Sequence, residues 1–226
     1  MNNDNAGFSD NDLSALEAEI REAVAQGAHV QDTVRRLTLK AMNAQHINLD
    51  ALQRIVAAVM RGVHDGAQQR LQLVANQAQA AKSQIGEAVA GLDSALASFA
   101  EASKLAVQEA AGQAKKFSQT ELSRTRSDLE GLESLFLDTL HHTAAGAQGL
   151  VADILHDLGR HAQNNGTVVG SQIKETLAIF AQQVASVGHA QMETGVSLAN
   201  STADFVSKLA SGVVAGMHDQ NKNNKS

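Results

Sequence analysis

The groups in this chain best suited to acid–base or metal chemistry are its histidines and their acidic neighbours. Two pairs, Asp138/His141 and Asp153/His156, have the acid-x-x-His spacing that sets a carboxylate and an imidazole one helical turn apart. That spacing resembles half of the carboxylate-bridged di-iron motif of helix bundles. The full motif takes glutamate, draws two further carboxylates from other helices, and points into the bundle. Both pairs here fall off the chain's apolar stripe, so they are expected on the solvated surface with no metal. His156, Asp157, Arg160 and His161 are expected to pair among themselves at i,i+4 spacing.

Other chemistry finds less support. The chain has no cysteine, which removes thiol nucleophiles, thiolate ligands and disulfides. No Ser-His-Asp set, phosphate-cradling glycine loop or dinucleotide fingerprint stands in a strand–turn–helix setting. Catalysis needs titratable groups whose surroundings shift their pKa in a cleft, and long thin helices offer few clefts. The expectation is a protein that is not an enzyme and holds no cofactor.

The elements that would position any such groups are helices. Proline, tryptophan and tyrosine are absent, so only glycine and asparagine remain to interrupt a helix. Alanine dominates the apolar fraction and aromatics make up 3%, which suits narrow helix–helix seams better than a thick core. A formal charge of −6 argues against a nucleic-acid partner, which calls for clustered Lys and Arg. Local basic groups, Arg35/Arg36/Lys40 and Lys115/Lys116/Arg124/Arg126, read as solvated or helix-end charges. No apolar run approaches the roughly 18 residues that a membrane span needs, and the Asn-rich N-terminus has no secretory pattern. A cytoplasmic protein with no transmembrane span is expected.

A hydrophobic beat recurs every eleven residues from Val30 to Met217. Of its eighteen positions fourteen are Val, Ile, Leu or Met, against about four expected from their overall frequency. Two residues after each beat no apolar side chain occurs, from Asp32 and Asn43 through to Lys208 and Asp219. Eleven residues in three turns is ~3.67 per turn, close to the undistorted α-helix. Beat positions and their neighbours define a stripe: Leu52, Val56, Val59, Val63, Val74, Ile85, Val89, Leu92, Leu96, Val107, Leu129, Leu140, Val151, Ile173, Val184 and Val206. Ala67, Ala78, Ala81, Ala100 and Ala111 occupy equivalent places. This stripe is the candidate site, either for helix packing or for binding a surface.

Taken in order, residues 1–8 read as a disordered start and 9–45 as short helices. The first begins near Ser9 to Asp12 with Leu13, Leu16, Ile20 and Val24 on its apolar face, and Gly27 suits its C-terminal cap. Asn43 to Asp50 reads as a turn, with Asp50 and Gln53 capping the next helix. From Asp50 to Lys116 no stop is visible, which implies one helix of ~100 Å. Phe117, Ser118, Glu121 and Leu122 form a capping corner, with a box from Ser118 to Glu121 and a staple from Phe117 to Leu122. The helix after it carries Leu129, Leu132, Leu135, Phe136, Leu140, Val151, Ile154, Leu155 and Leu158, with a kink at Gly146 and Gly149. A second corner falls near 164–167, a last helix runs to about His218, and 219–226 reads as a disordered tail. Residues 50–218 thus form a long-helix bundle.

The stretches EASKLAVQEAAGQAKKFSQTEL (101–122) and LESLFLDTL (132–140) resemble an uncharacterised all-helical bacterial family of similar length. The resemblance covers about residues 30–215 and implies structural motifs, with no activity to carry over. On pattern alone the chain is also similar to phasins, the Ala-rich, Cys-free amphipathic proteins that coat polyester granules, and to apolipoprotein-like eleven-residue repeats.

The fold expected is all-α: long amphipathic helices with an eleven-residue repeat, forming an antiparallel, coiled-coil-like bundle. Two functions compete, and the strict eleven-residue phase and alanine-rich stripe put the first of them ahead. One is adsorption of the stripe to a hydrophobic granule or lipid boundary, with polar residues facing water. The other is a helical-bundle scaffold or partner-binding oligomer, in which the same stripe is buried and the partner includes the chain itself.

Overall fold

The first helix starts where a local signal says it should. Ser9 Oγ accepts the amide of Asp12 at 3.3 Å, and the Asp12 carboxylate accepts the amide of Ser9 at 3.2 Å, a reciprocal capping box. Helix α1 (Asp10–Gln26) ends at Gly27, whose φ of 72° is the left-handed conformation in which glycine carries no Cβ penalty. The computed structural model describes residues 9–43, 49–73, 78–112 and 119–190. After α1 they form α2 (Val30–Asn43), α3 (Leu49–Leu73), α4 (Ala78–Gly112), α5 (Gln119–Gly146), α6 (Gly149–Asn165) and α7 (Val168–Ala190). No strand occurs among the described residues, and the molecule is an all-α helical bundle.

Side-chain contacts give the directions. Arg61 pairs with Glu17, Gly62 lies on Glu17 and Ile20, Gly66 on Arg21 and Val24, and Arg70 reaches Ala25 and Gln26. Both numbers rise together, so α1 and α3 run parallel. Gly91 lies on Gln31 and Val34, and Arg35 reaches Ser98, so α2 and α4 are parallel as well. The end of α1 sits beside Arg70, whereas α3 starts at Leu49, roughly 30 Å back at 1.5 Å per residue. Helix α2 therefore runs against α1 and α3, and α4 against α3. Helix α7 follows α4: Asp93 meets Val168 and Val169, Glu101 meets Gln172, and Lys104 meets Glu175. Helix α6 folds back along α5, with Gly159 at His141 and Thr167 at Glu133.

Two expectations about helix length are corrected. In place of one helix from Asp50 to Lys116, α3 ends at Leu73 and α4 begins at Ala78, and the two run in opposite directions. The beat keeps its phase across this break because each helix needs one buried face; periodicity reports the face and not the reversal. In place of a kink at Gly146 and Gly149, α5 stops and α6 begins a separate, returning helix. Gly149 takes φ 58° at that junction. Asp50 also stands within the first turn of α3 and not ahead of it. Residues 164–167 lie at the junction of α6 and α7, where Gly166 has φ 81°. Residues 1–8, the corner at Phe117 and Ser118, the last helix beyond Ala190 and the tail 219–226 lie outside the described residues.

The core runs through every described helix. It joins Leu16, Ile20 and Val24 of α1 and Val34 and Leu37 of α2 to Ile55, Val59 and Val63 of α3 and Leu92 and Leu96 of α4. It continues through Leu132 and Phe136 of α5, Ile154 and Leu155 of α6, and Val169 and Phe180 of α7. The short N-terminal helices are thus part of the same hydrophobic unit as the longer ones. Each large aliphatic or aromatic side chain withdrawn from water contributes about 1.5–3 kcal/mol, the main stabilising term in a chain without disulfides.

Candidate functional surface

The stripe is the candidate packing or binding surface, and the structure places twelve of its residues in the interior. Leu52, Val56, Val59, Val63, Ile85, Val89, Leu92, Leu96, Leu129, Leu140, Val151 and Ile173 are all buried, none more than 7% exposed. Val74 and Val206 lie outside the described residues, as do the side chains of Val107 and Val184. The same holds for Phe117 and Ser118 and for the side chains of Glu121 and Leu122, so the capping corner has no described geometry. Ala67, Ala81 and Ala100 are buried with the stripe, whereas Ala78, at the head of α4, is exposed. Large hydrophobic side chains exposed among the described residues are Leu105, Leu150 and Val168, on three different helices. Leu105 is twelve residues beyond the Asp93 contact with Val168, or about 18 Å along α4, so these two do not form a patch.

Small residues set how closely the helices meet. A Cβ built on Gly62 would stand 2.6 Å from the carbonyl oxygen of Glu17, and one on Gly66 would stand 2.5 Å from that of Arg21. Gly91 repeats the arrangement on α2, with the Gln31 carbonyl oxygen 2.5 Å away. In each case the glycine faces a backbone carbonyl and the Cβ of a β-branched residue one turn on: Ile20, Val24 and Val34. The i,i+4 spacing of Gly62 and Gly66 thus serves close packing between α1 and α3 within the bundle. Gly166 and Gly170, at the same spacing, do different things: Gly166 ends α6, and Gly170 makes room for the Glu133 carboxylate.

Polar side chains are concentrated where one helix caps another. Arg70 of α3 donates from Nη1 to the carbonyls of Ala25 (2.8 Å) and Gln26 (3.0 Å), placing a cation on the negative end of α1. Midway along α4 Asp93 accepts the amides of Val168 and Val169, each at 2.9 Å, placing an anion on the positive end of α7. Thr167 completes that turn: its hydroxyl oxygen accepts the amide of Gly170 at 2.8 Å and its carbonyl accepts that of Ser171 at 3.1 Å. The amides of Val168, Val169 and Gly170, which have no partner within the helix, are therefore all bonded. The Thr167 hydroxyl donates onward to Glu133 of α5 at 2.7 Å. Burial pushes the Asp93 carboxyl above the ordinary carboxylate value, against the pull of its two amide bonds, and Glu133 adds to the rise. Lys104 of α4 bridges Glu175 (2.8 Å) and Glu101 (2.9 Å), which together hold its ammonium above its usual value.

Sequence inspection missed Asp93, Glu133 and Arg70. Each caps or contacts a helix end more than thirty residues away, so no local spacing could reveal it. The one local signal was Thr167 three residues before Gly170.

The histidine and acid pairs do not converge. Asp138, Asp153 and His156 are exposed, and His141 is half-buried against Gly159. His142 ties back to its own helix, its Nδ1 donating to the backbone carbonyl of Asp138 at 2.7 Å. Asp157 pairs with Arg160, and His161 with Asn165, both within α6. Among the described residues no three His, Asp or Glu side chains come together as a metal site. A shallow groove of about 390 Å³ between α1 and α3 is lined by Arg21, Glu22, Asp65, Gln68, Gln69 and Gln72 and is polar throughout. No helix of the described residues is long and apolar enough to cross a membrane.

Residues 8–223 match the model of a family of unknown function, DUF6781, and the chain belongs to that family. The match extends beyond the 30–215 of the sequence resemblance. Neither the curated proteins nor the solved structures gave a match.

Proposed function

We propose that this member of the family of unknown function is a non-enzymatic helical bundle acting as a scaffold or partner-binding module, with its apolar stripe kept between its own helices. The observation that carries the proposal is the burial of all twelve described stripe side chains; among the described residues the large hydrophobics left at the surface are Leu105, Leu150 and Val168. A surface coat needs a continuous apolar face turned outward. A folded bundle with this interior instead offers a partner its polar exterior. The formal charge of −6 disfavours nucleic acid and anionic leaflets, leaving a protein in the cytoplasm, including a second copy of the chain, as the partner.

Adsorption to a granule or lipid boundary, the phasin-like behaviour, is favoured by one observation. Helices α3 and α4 bury many alanines: Ala58, Ala67, Ala81, Ala88, Ala95, Ala97 and Ala100. Alanine burial stabilises less than burial of leucine, so helices joined by it separate at lower cost. Flotation of the full chain with triacylglycerol droplets and with polyester granules, alongside light scattering of the free protein, separates the two functions. A scaffold stays in the bottom fraction and scatters as a species of defined mass. Protein carried up with either particle would overturn the scaffold proposal in favour of the coat.

A further inference from the structure

The stretch from Asp50 to Lys116 carries no stop signal in its sequence, yet α3 ends inside it and α4 returns in the opposite direction. The buried faces of the two helices keep one count across that turn. Leu52, Val56, Val59, Val63 and Ala67 of α3 are followed, each thirty-three residues later, by Ile85, Val89, Leu92, Leu96 and Ala100 of α4. All ten are buried, none more than 7% exposed. On an ideal helix thirty-three residues return to within about 60° of the starting direction, and at the ~3.67 residues per turn of the beat they return to it fully. A single helix through 49–112 would therefore carry both faces on one side.

One buried face per helix explains the beat within each; a shared count across the turn is a further constraint. The bundle itself shows that a closed turn does not impose it. Helix α1 is out of step with α2: eleven residues beyond Ile20 and Val24 stand the exposed Gln31 and the half-buried Arg35, yet Ile20 and Val24 are fully buried. The junctions after α5 and α6 are in step, but there Gly149 and Gly166 take positive φ and interrupt the helix. The turn ahead of α3 leads to Asp50, an acid that favours a helix start, and the corner at 117–118 has its capping-box sequence. Between Leu73 and Ala78 the chain reads Val74-Ala75-Asn76-Gln77, with no glycine and no proline, and the first turn of α4 has no acid. Val74 is itself on the beat.

We propose that two copies of this chain pair by exchanging α1–α3, with α3 and α4 of each copy joined into one helix. This deepens the scaffold reading and rests on it, since the stripe stays covered by the same helices, now drawn from two copies. The contacts between the two halves of the chain re-form between copies: Gly91 on Gln31 and Val34, Arg35 with Ser98, and Leu49 on Gly131. The joined helix, residues 49–112, spans about 96 Å, and the two-fold axis of the pair crosses it where the turn was. Exchange of an identical element closes the dimer and asks for no new complementary surface. A duplicated eleven-residue unit would leave the same count without exchange, and it predicts an assembly indifferent to residues 74–77.

The absence of native cysteine lets the exchange be trapped in the full chain. Arg35→Cys with Ser98→Cys puts two thiols at a contact between the halves, where the native side chains meet at 3.3 Å. The protein is refolded from urea at high concentration, sized by chromatography with light scattering, treated with a short bismaleimide and run on a denaturing gel. Exchange predicts a dimer whose links join two chains. Asn76→Ala, which favours the helix, should raise the dimer fraction. Asn76→Gly should weaken association about thirtyfold relative to Asn76→Ala, about fivefold for each copy. Two glycines inserted between Ala75 and Asn76 break the count and should leave a monomer that melts with the parent. A chain that stays monomeric with Asn76→Ala, a dimer whose links remain within one chain, or a dimer that persists with the glycine insertion would overturn the exchange. Flotation tests the scaffold reading separately: protein that stays in the bottom fraction but fails here loses the exchange alone.

Discussion

At the residue scale, the glycines of α3 and α4 separate two roles that look alike in sequence. Gly86 lies inside α4 with nothing near its Cβ position, whereas Gly62 and Gly66 face the backbone carbonyls of α1. Gly86→Ala should therefore stabilise the protein by about 0.5–1 kcal/mol in urea denaturation, the gain in helix propensity. Gly62→Ala has the same gain but forces α1 outward, and overpacking costs about 1–3 kcal/mol, so its net effect should be destabilising. Equal effects at the two positions would show that close glycine packing does not join α1 to α3. Lys104 gives a pH prediction of its own. Its folded value is raised by Glu175 and Glu101, so its contribution is present below the ordinary 10.5 and is lost as pH rises through the folded value. Lys104→Met should remove this alkaline loss from a pH series of melting temperatures, while costing no more than about 1 kcal/mol at neutral pH because both partners are partly exposed.

At the scale of elements, what could be read from the chain was which face of each helix is buried and where a helix carries its own cap. Leu13, Leu16, Ile20 and Val24 are buried as their 3-4-4 spacing implies, Ser9 and Asp12 start α1, and Gly27 ends it. Helix ends set by tertiary contacts left no such trace. Leu73 and Ala78 bound two helices in a stretch whose hydrophobic phase never falters, and the eleven-residue beat hides the reversal because both helices satisfy it. Gly149 was visible as a weak point, yet a glycine inside a helical pattern does not by itself distinguish a kink from a full turn. Its positive φ, in open space, makes a direct prediction. Gly149→Ala meets no steric neighbour but must adopt a left-handed backbone, costing about 1–2 kcal/mol. Gly146→Ala, next to the same turn with no positive φ and no neighbour, should be neutral or stabilising. The two urea midpoints should move in opposite directions, and a fall of the same size in both would mean that Gly149 is not the pivot between α5 and α6.

At the scale of the whole molecule, composition and architecture agree. A chain without proline, cysteine or tryptophan and with few aromatics has to stabilise itself through many modest aliphatic contacts spread over seven described helices. Such a core makes each helix dependent on the others, since an isolated amphipathic helix leaves its apolar face wet. The molecule then uses charged side chains at helix ends, Arg70 on α1 and Asp93 on α7, to define which helix docks where. The scaffold function proposed for the molecule rests on the stripe being covered by the chain's own helices. The most direct measurement of that is a paired denaturation experiment on α4 at two positions two residues apart. Leu92 is fully buried on the stripe and Ala90 is exposed. Leu92→Asp should lower stability by about 3–5 kcal/mol or abolish the cooperative transition, since it buries an unpaired charge, while Ala90→Asp should stay within about 1 kcal/mol of the parent. A melt in which both variants track the unsubstituted protein would contradict the account at its centre.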